Sequence, residues 1–223
     1  TAARRTLALA VALVVTCVIV VWAMHLTAGG GDDRLLFWWS LAPLAFVAQT
    51  MSFEVEFRRE KYAFTFSEIP LLLGLFLADP VHLLVGRLLG ELVFLAARER
   101  KINRKMALNF ASFLAETTTL LVVHQLLGGP TDVTRPTTWL VALLSVTAAD
   151  LVGYAVVYVV VRWHGASTTF GSLVLFGGIT IPSNTSFALV IGILMVEQPW
   201  ATLLLAGIAA FLLVSYRSYT ALR

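Results

Sequence analysis

The sequence predicts an all-α, polytopic transmembrane bundle of about eight helical segments, with both termini in the cytoplasm. Three observations carry this prediction. Of the 223 residues, 59% are hydrophobic and only 13% are charged, whereas a soluble domain usually carries about 25% charged residues. The hydrophobic residues form runs of the length that crosses a bilayer, roughly 20 residues. The basic residues fall mostly on one side of these runs, as the positive-inside rule requires. We expect residues 1–223 to form a single integral-membrane domain.

The first two segments are separated by polar breaks. Segment one covers residues 6–27 and is longer than the apolar core of a signal peptide, which has 7–15 residues. A glycine- and aspartate-rich stretch ends it. Segment two covers residues 35–53, with two tryptophans near its start, as is typical of a membrane interface. Residues 54–61 alternate charged and apolar side chains at first, and we expect them to be extended or to lie along the interface.

Segment three, residues 67–79, is unusually short. Ser67 suits an N-cap and Pro70 is tolerated in a first helical turn. Such a segment reaches only about 20 Å at 1.5 Å per residue. We expect it either to tilt inside the bundle or to form half of a re-entrant hairpin, since a lipid-exposed span would need more length.

Five further segments follow, covering residues 81–97, 106–127, 138–161, 170–196 and 199–216. The seventh segment of the chain, residues 170–196, is predicted to be broken. Gly177-Gly178 and the sequence Pro182-Ser183-Asn184 interrupt it with residues that weaken or break helices.

The basic residues set the predicted orientation. Of the 16 lysines and arginines, only Arg34 and Arg135 fall outside and Arg87 falls within a span when the N-terminus is placed inside. The remaining basic residues all fall in cytoplasmic loops or termini: Arg4, Arg5, Arg58, Arg59, Lys61, Arg98, Arg100, Lys101, Arg104, Lys105, Arg162, Arg217 and Arg223. This asymmetry predicts that both termini are cytoplasmic.

Four ionisable residues fall within predicted spans: Arg87 and Glu91 in segment four, Glu116 in segment five and Asp150 in segment six. An ionised side chain at the bilayer centre costs about 2.5–3.5 kcal/mol on insertion scales, so such residues are candidates for function. Counting along the helices places the three carboxyls roughly 16–18 Å from a span end, close to the midplane.

Helical spacing groups these residues with other polar ones. Segment five carries one polar face and segment six another, consisting of Lys105, Asn109, Ser112 and Glu116 and of Thr147, Asp150, Tyr154 and Tyr158. In segment four, Arg87 and Glu91 form an i,i+4 pair of opposite charge. Gly86 and Gly90 there have the spacing that lets two helices approach closely.

These patterns have two interpretations. The functional one is a polar cavity between segments four, five and six, with the broken seventh segment and its Asn184 alongside, as in solute sites of transporters. The structural one is an ion-pair and hydrogen-bond cluster that holds the bundle together. Three carboxylates against one guanidinium would leave a net charge of −2. Desolvation is then expected to favour protonation of a carboxylate or binding of a cation.

The sequence assigns no metal and identifies no cofactor. His25, His82 and His124 lie near the outer ends of their segments and could hold zinc, copper or haem iron. No close-spaced ligand motif accompanies them. Phosphate-binding loops, nucleophile elbows and zinc-protease motifs are absent from the sequence, which predicts no enzyme within these residues. The basic run 98–105 is expected to meet anionic lipid rather than nucleic acid.

One region resembles a known family. The stretch from Phe64 to Pro70 (FTFSEIP), Gly74-Leu75, Pro80, the Arg87-x-x-Gly90 motif, the basic run and Lys105-x-x-x-Asn109 carry the resemblance. They are similar to the MASE-type N-terminal membrane module of bacterial, especially actinobacterial, cyclic-di-GMP regulators. In that family an integral-membrane input module precedes GGDEF and often EAL domains. The resemblance covers mainly residues 54–116.

The resemblance implies a sensory or regulatory module in the bacterial cytoplasmic membrane. It implies a fused cytoplasmic signalling domain beyond residue 223, cyclic-di-GMP turnover by that domain, a homodimer and an unidentified small ligand. The matching polar positions for signal binding or coupling are Glu68, Arg87, Asn109 and Glu116.

Two other function classes stay open. The short third segment, the broken seventh and the polar midplane also suit a small-solute carrier, similar in architecture to the S components of energy-coupling factor transporters. A membrane anchor and dimerisation module that uses Gly86 and Gly90 is the third possibility.

Overall fold

The computed structural model describes residues 2–27, 35–51, 53–57, 60–64, 66–98, 104–165 and 169–204, together with residues 207, 211 and 214. Within these residues the chain forms a mainly helical bundle with one β-hairpin. The elements are α1 (Ala2–Thr27), α2 (Trp38–Thr50), β1 (Phe53–Phe57), β2 (Glu60–Phe64), α3 (Glu68–Leu77), α4 (Pro80–Arg98), α5 (Arg104–Leu126), α6 (Pro136–Trp163) and α7 (Phe170–Glu197).

Five predicted segments are confirmed as the long helices α1, α4, α5, α6 and α7, with ends that differ from the prediction by about four residues or less. Local chemistry explains several boundaries. Pro80 and Pro136 stand at the first positions of α4 and α6, where a missing amide hydrogen costs nothing. Gly128 and Gly129 adopt φ angles of 93° and 55° after α5, and the Gly129 amide donates to the His124 carbonyl at 2.9 Å.

The short helix α3 lies at the centre of the bundle. All its residues except Ile69 are buried, and it packs against α7, α4 and α2. Its leucines form the main apolar core with Leu83 of α4, Leu120 of α5 and Val146 of α6. The structure therefore encloses α3 among other helices. A helix in this position can be shorter than one that spans lipid by itself.

Segment two is shorter than predicted. Residues 35–53 were expected to be helical, but α2 begins at Trp38 and ends at Thr50, so that it reaches only about 20 Å. At its start, the Leu36 amide donates to the Leu77 carbonyl at 2.7 Å and Leu36 pairs with Ala78 in a parallel bridge. At its end, the alternating residues from Phe53 onward form β1, because that period suits a strand.

The described residues of the alternating stretch after α2, 54–57 and 60–61, are extended, which confirms one of the two predicted alternatives. Strands β1 and β2 pair antiparallel, with Phe53 opposite Phe64 and Phe57 opposite Glu60. The Leu36–Leu77 hydrogen bond holds the beginning of α2 beside the end of α3. The chain therefore leaves one end of the bundle in α2 and returns to the same end in α3.

The predicted break in the seventh segment is wrong. Helix α7 runs from Phe170 to Glu197 without interruption and contains Pro182 in its interior. The proline removes one backbone donor, but α7 is packed along α3 and α6, and tertiary packing overrides local helix propensity. The eighth predicted segment lies partly outside the described residues. Residues 201–204 and the described residues 207, 211 and 214 are helical.

The distribution of polarity is that of a protein in lipid. Among the residues that the structure describes, five helices are long and apolar enough to cross a membrane: Ala2–Met24 of α1, and α4, α5, α6 and α7. Large apolar side chains such as Trp22, Leu140 and Phe187 point outward, whereas Arg87 and Glu91 lie inside with 4% and 1% of their surface exposed. This arrangement is consistent with a multi-pass membrane protein.

Candidate functional site

Buried and half-buried polar side chains from six helices meet inside the bundle, and we call this group the buried polar cluster. Its members are Gln49 from α2, Glu68 from α3, Arg87 and Glu91 from α4, Ser112 and Glu116 from α5, Asp150 from α6 and Asn184 from α7. The elements that contribute them are packed around the central helix α3 or directly against its neighbours. The cluster thus connects most of the bundle through polar contacts.

Arg87 is the cation of the cluster. Its Nη2 lies 3.2 Å from Oε2 of Glu116, and its Nη1 donates to the Ser67 carbonyl at 3.5 Å. The guanidinium carbon stands 5.9 Å from the ring centroid of Phe113, within cation–π range. Ser112 donates through Oγ to the other Glu116 oxygen at 3.2 Å. Glu116 is therefore held through both carboxylate oxygens.

Glu91 has a different partner from the one its spacing predicts. Among the described residues, Arg87 makes its ion pair with Glu116 rather than with Glu91. Glu91 instead accepts a hydrogen bond through Oε1 from Nε2 of Gln49 at 2.7 Å, which joins α4 to α2. Its second oxygen, Oε2, is buried without a hydrogen-bond partner in the part of the chain that the structure describes.

Glu68 connects the central helix to α7. Its Oε2 accepts a hydrogen bond from Nδ2 of Asn184, so a contact between residues 116 positions apart closes the bundle on this side. Asn184 follows Pro182 within α7. Glu68 is thus hydrogen-bonded to α7 two residues after Pro182, whose missing amide hydrogen leaves one backbone hydrogen bond of that helix unmade.

Helix α6 contributes Asp150 and two close approaches. Asp150 lies within electrostatic range of Glu68, Glu116 and Arg87, and its buried Oδ2 has no hydrogen-bond partner among the described residues. A Cβ atom on Gly153 would collide with Oε1 of Glu116, so the glycine provides the space for that carboxylate. One helical turn from Asp150, the hydroxyl of Tyr154 packs against Gly177 of α7, where a Cβ atom would stand 2.6 Å away.

The charges of the cluster do not balance. Four carboxyl groups, those of Glu68, Glu91, Glu116 and Asp150, surround the single guanidinium of Arg87. If all were ionised, four negative charges and one positive charge would leave −3 in the interior of the bundle. Burying an unpaired charge is strongly unfavourable. Bound protons or an additional cation would relieve this imbalance.

Asn109, a candidate from the resemblance, is not part of this cluster. It lies on α5 two turns before Glu116, a distance of about 10 Å along the helix axis, and is half-buried. Lys105, on the same predicted face, is exposed. On α6, Thr147 donates to the Leu143 carbonyl at 2.7 Å, and Tyr158 contacts the ring of Phe170 at 5.7 Å between centroids.

The histidines have separate environments. His82 stands 5.4 Å from the ring of Phe37. His124 is buried, with Nε2 3.1 Å from the Pro130 carbonyl and its ring 6.1 Å from that of Phe76. The side chain of His25 lies outside the described part of the structure. Within residues that the structure describes, no three His, Cys, Asp or Glu side chains form a group that could hold a metal ion.

Gly86 and Gly90 serve a contact within the chain. A Cβ atom on Gly86 would stand 2.7 Å from Cβ of Leu41 and 2.9 Å from the Trp38 carbonyl. One on Gly90 would collide with the Ala42 carbonyl and stand 2.7 Å from Cβ of Ala45. The pair therefore lets α2 approach α4, which brings Gln49 within reach of Glu91.

Sequence reasoning did not identify two participants in this site. Gln49 is a single amide near the end of an apolar segment, where it resembles an interfacial residue, so the sequence carries no signal of its contact with Glu91. Gly153 lies one turn from both Asp150 and Val156 on α6, and only the neighbouring carboxylate reveals its role.

Comparison of the chain with protein-family models, curated proteins and solved structures finds no match.

Proposed function

We propose that the chain is a membrane-embedded sensory or regulatory input module of the bacterial cytoplasmic membrane. In this proposal the buried polar cluster receives a signal and passes it to a cytoplasmic signalling domain, for which cyclic-di-GMP turnover is the expected activity. The observation that carries the proposal is the connection of six helices, α2 to α7, through one charge-imbalanced cluster. A homodimer and a fused output domain belong to the same proposal.

The contacts of the cluster suit a switch. The Arg87–Glu116 ion pair joins α4 to α5, the Gln49–Glu91 bond joins α2 to α4, and the Glu68–Asn184 bond joins α3 to α7. Neutralising one carboxyl changes the partners that Arg87 prefers, and so it alters several helix contacts together. A signal can shift a conformational equilibrium only through such a difference in interaction energy between two states.

The orientation is part of the proposal. The excess of arginine and lysine on one side supports a cytoplasmic N-terminus. The start of α2 lies beside the end of α3. In the proposal these two helices therefore return the chain to the side of the membrane from which it entered, and α4 begins on that side. Helices α1, α4, α5, α6 and α7 and the helical residues after α7 would then cross the membrane, which returns the chain to the cytoplasm.

The two alternatives receive less support from the geometry. The carrier interpretation used a broken seventh segment, and α7 is continuous. The short third segment on which it also relied is present as α3. The anchor and dimerisation interpretation used Gly86 and Gly90 as a contact between chains, but α2 of the same chain occupies that surface.

The test begins with the coding sequence after Arg223. Where it encodes a signalling domain, the full-length protein is placed in membrane vesicles and its nucleotide turnover is measured for the wild type, Glu116→Gln and the control Glu197→Gln. Glu197 is an exposed carboxyl at the end of α7. We expect Glu116→Gln to change turnover at equal protein level and Glu197→Gln to leave it unchanged. A coding sequence that ends without a signalling domain beside ATPase genes, together with solute uptake, would establish the carrier instead.

A further inference from the structure

We infer that the buried polar cluster is a proton-binding site, in which Asp150 and Glu91 hold exchangeable protons while Glu116 stays ionised as the partner of Arg87. Proton binding follows from the geometry of the cluster. A signalling role for the bound proton rests on the proposed sensory function.

One carboxyl of the cluster can be ionised against the charge of Arg87. One guanidinium neutralises one carboxylate, and Arg87 stands 3.2 Å from Glu116, its ion-pair partner among the described residues. Glu116 also accepts from Ser112 at 3.2 Å and faces Glu91, Glu68 and Asp150. An ion pair together with a hydrogen bond stabilises the charged form of a carboxyl. Glu116 is therefore the ionised member.

Glu68, Glu91 and Asp150 form no ion pair with Arg87 among the described residues. Glu91 receives one amide hydrogen bond from Gln49 and Glu68 receives one from Asn184. Asp150 faces Glu68 from α3, Arg87 from α4 and Glu116 from α5, with Tyr154 on its own helix. Helices α2 and α7 supply only amides to the cluster. No cation within this group is available for these three carboxyls, because Arg87 is already paired.

Two carboxyl oxygens of the cluster are enclosed without a hydrogen-bond partner among the described residues. Glu91 has only 1% of its surface exposed, and neither its Oε2 nor Oδ2 of Asp150 finds a hydrogen-bond donor among the described residues. A carboxylate oxygen in such a position would carry charge without solvation. The neutral, protonated form avoids that cost, and both oxygens lie where a proton can be bound.

The cluster suits a proton better than a metal cation. The guanidinium of Arg87 pairs with Glu116 at 3.2 Å, and its positive charge also acts on Glu91 and Asp150. Metal ions require several ligands that converge on one point, and within the described residues no three acidic, cysteine or histidine side chains do so. A proton needs only one oxygen.

The experiment is infrared difference spectroscopy of the chain in lipid vesicles during pH jumps. We expect the carbonyl stretch of protonated carboxyl groups at neutral pH, its shift in D₂O and its loss at alkaline pH. Asp150→Asn and Glu91→Gln, which keep shape and hydrogen bonding, should each remove one component of this band. Glu197→Gln should remove none, because Glu197 is exposed. The D₂O shift in the wild type needs no variant and so does not depend on whether a variant folds.

Three outcomes would overturn the inference. A spectrum without a protonated carboxyl at neutral pH would show that all four are ionised. Loss of the band on adding sodium, potassium or calcium at constant pH would identify a cation site. Equal bands in the wild type and both variants would place the protons elsewhere. A protonated band that depends on Asp150, with output activity of the full-length protein that is indifferent to pH and to Asp150→Asn, would retain the proton site and reject the sensory function.

Discussion

At the scale of single residues, Arg87 determines whether the interior charges can coexist. It is 4% exposed and contacts Glu116, the Ser67 carbonyl and the ring of Phe113. A lysine would carry the same charge but could not reach several partners in one plane, because only the guanidinium presents a rigid fork of donors. The single arginine therefore organises α3, α4 and α5 about one point.

Replacing Arg87 by methionine should destabilise the bundle. Removing one partner of a buried ion pair leaves an uncompensated charge and costs about 3–5 kcal/mol. We expect a lower free energy of unfolding in detergent for Arg87→Met and no comparable change for Arg162→Met, since Arg162 is exposed at the end of α6. Adding Glu116→Gln to Arg87→Met should recover part of the loss. Equal stability of the two single variants would contradict the role of Arg87.

Asp132, in the loop between α5 and α6, provides a prediction about pH. The hydroxyl and amide of Thr134 donate to Oδ1 at 2.6 and 3.1 Å, and Nε of Arg135 lies 2.8 Å from Oδ2. These contacts, with those of Thr134 first, lower the pKa of Asp132 below its ordinary value of 3.8. Because the pKa is lowered by folding, the stabilisation is present above pH 3.8 and is lost as pH falls through the lower value.

The measurement for Asp132 is the pH dependence of the Thr134 amide resonance in micelles. We expect a titration midpoint below 3.8 that disappears in Asp132→Asn. Thr134→Val should raise the pKa of Asp132 more than Arg135→Gln does, since the contacts of Thr134 are the larger cause. The reverse order would show that the exposed ion pair with Arg135 dominates.

The residues of the cluster were partly predictable from the sequence. Arg87, Glu91, Glu116 and Asp150 stand out because charge within an apolar span is costly. Their partners did not follow, because helical spacing describes contacts within one helix and the observed contacts join different helices. The Arg87–Glu91 spacing thus predicted a local pair, whereas the structure pairs Arg87 with Glu116 of α5.

At the scale of elements, the contact between α2 and α4 depends on small residues. The backbone of α2 lies so close to Gly86 and Gly90 that a methyl group at either position would meet carbonyl or Cβ atoms. Backbone atoms cannot rotate away as a flexible side chain can. The small residues therefore hold Gln49 near Glu91, and the packing of α2 and the polar cluster depend on each other.

Gly90→Ala should separate α2 from α4. Forcing an extra methyl group into a packed contact costs about 1–3 kcal/mol, so the melting temperature in detergent should fall. The matched control is Gly178→Ala on α7, where a Cβ atom would meet nothing within 4 Å and where alanine favours the helix. If Gly90→Ala were as stable as Gly178→Ala, the close approach of α2 and α4 would be contradicted.

Elements were predicted best where one local signal dominated. The long apolar runs gave α1, α4, α5, α6 and α7, because length and composition suffice for a helix in lipid. The length of α2 and the continuity of α7 did not follow from local signals. Pro182 weakens a helix locally, but packing on α3 and α6 keeps α7 continuous. Both features depend on how several segments pack together, which a local sequence signal does not describe.

At the scale of the whole molecule, the α2–hairpin–α3 unit fills the space that two full spans would otherwise take. Helix α2 reaches about 20 Å and α3 about 15 Å, and each is shorter than the hydrocarbon core of roughly 30 Å. The surrounding helices cover α3, so its ends do not meet lipid. In the proposed topology the chain returns to the side on which α1 ends, so α4 enters the membrane from that side.

Single-cysteine labelling tests the resulting topology. The native Cys17 is buried, and Cys17→Ala provides the background. We expect a membrane-impermeant maleimide to label Leu35→Cys and Thr131→Cys in intact cells, because both exposed positions precede helices that enter from outside in the proposed orientation. His164→Cys, exposed between α6 and α7, should react only after permeabilisation. Labelling of His164→Cys in intact cells with protection of Thr131→Cys would reverse the orientation, and opposite results at Leu35 and Thr131 would show that α2 and α3 do not return to one side.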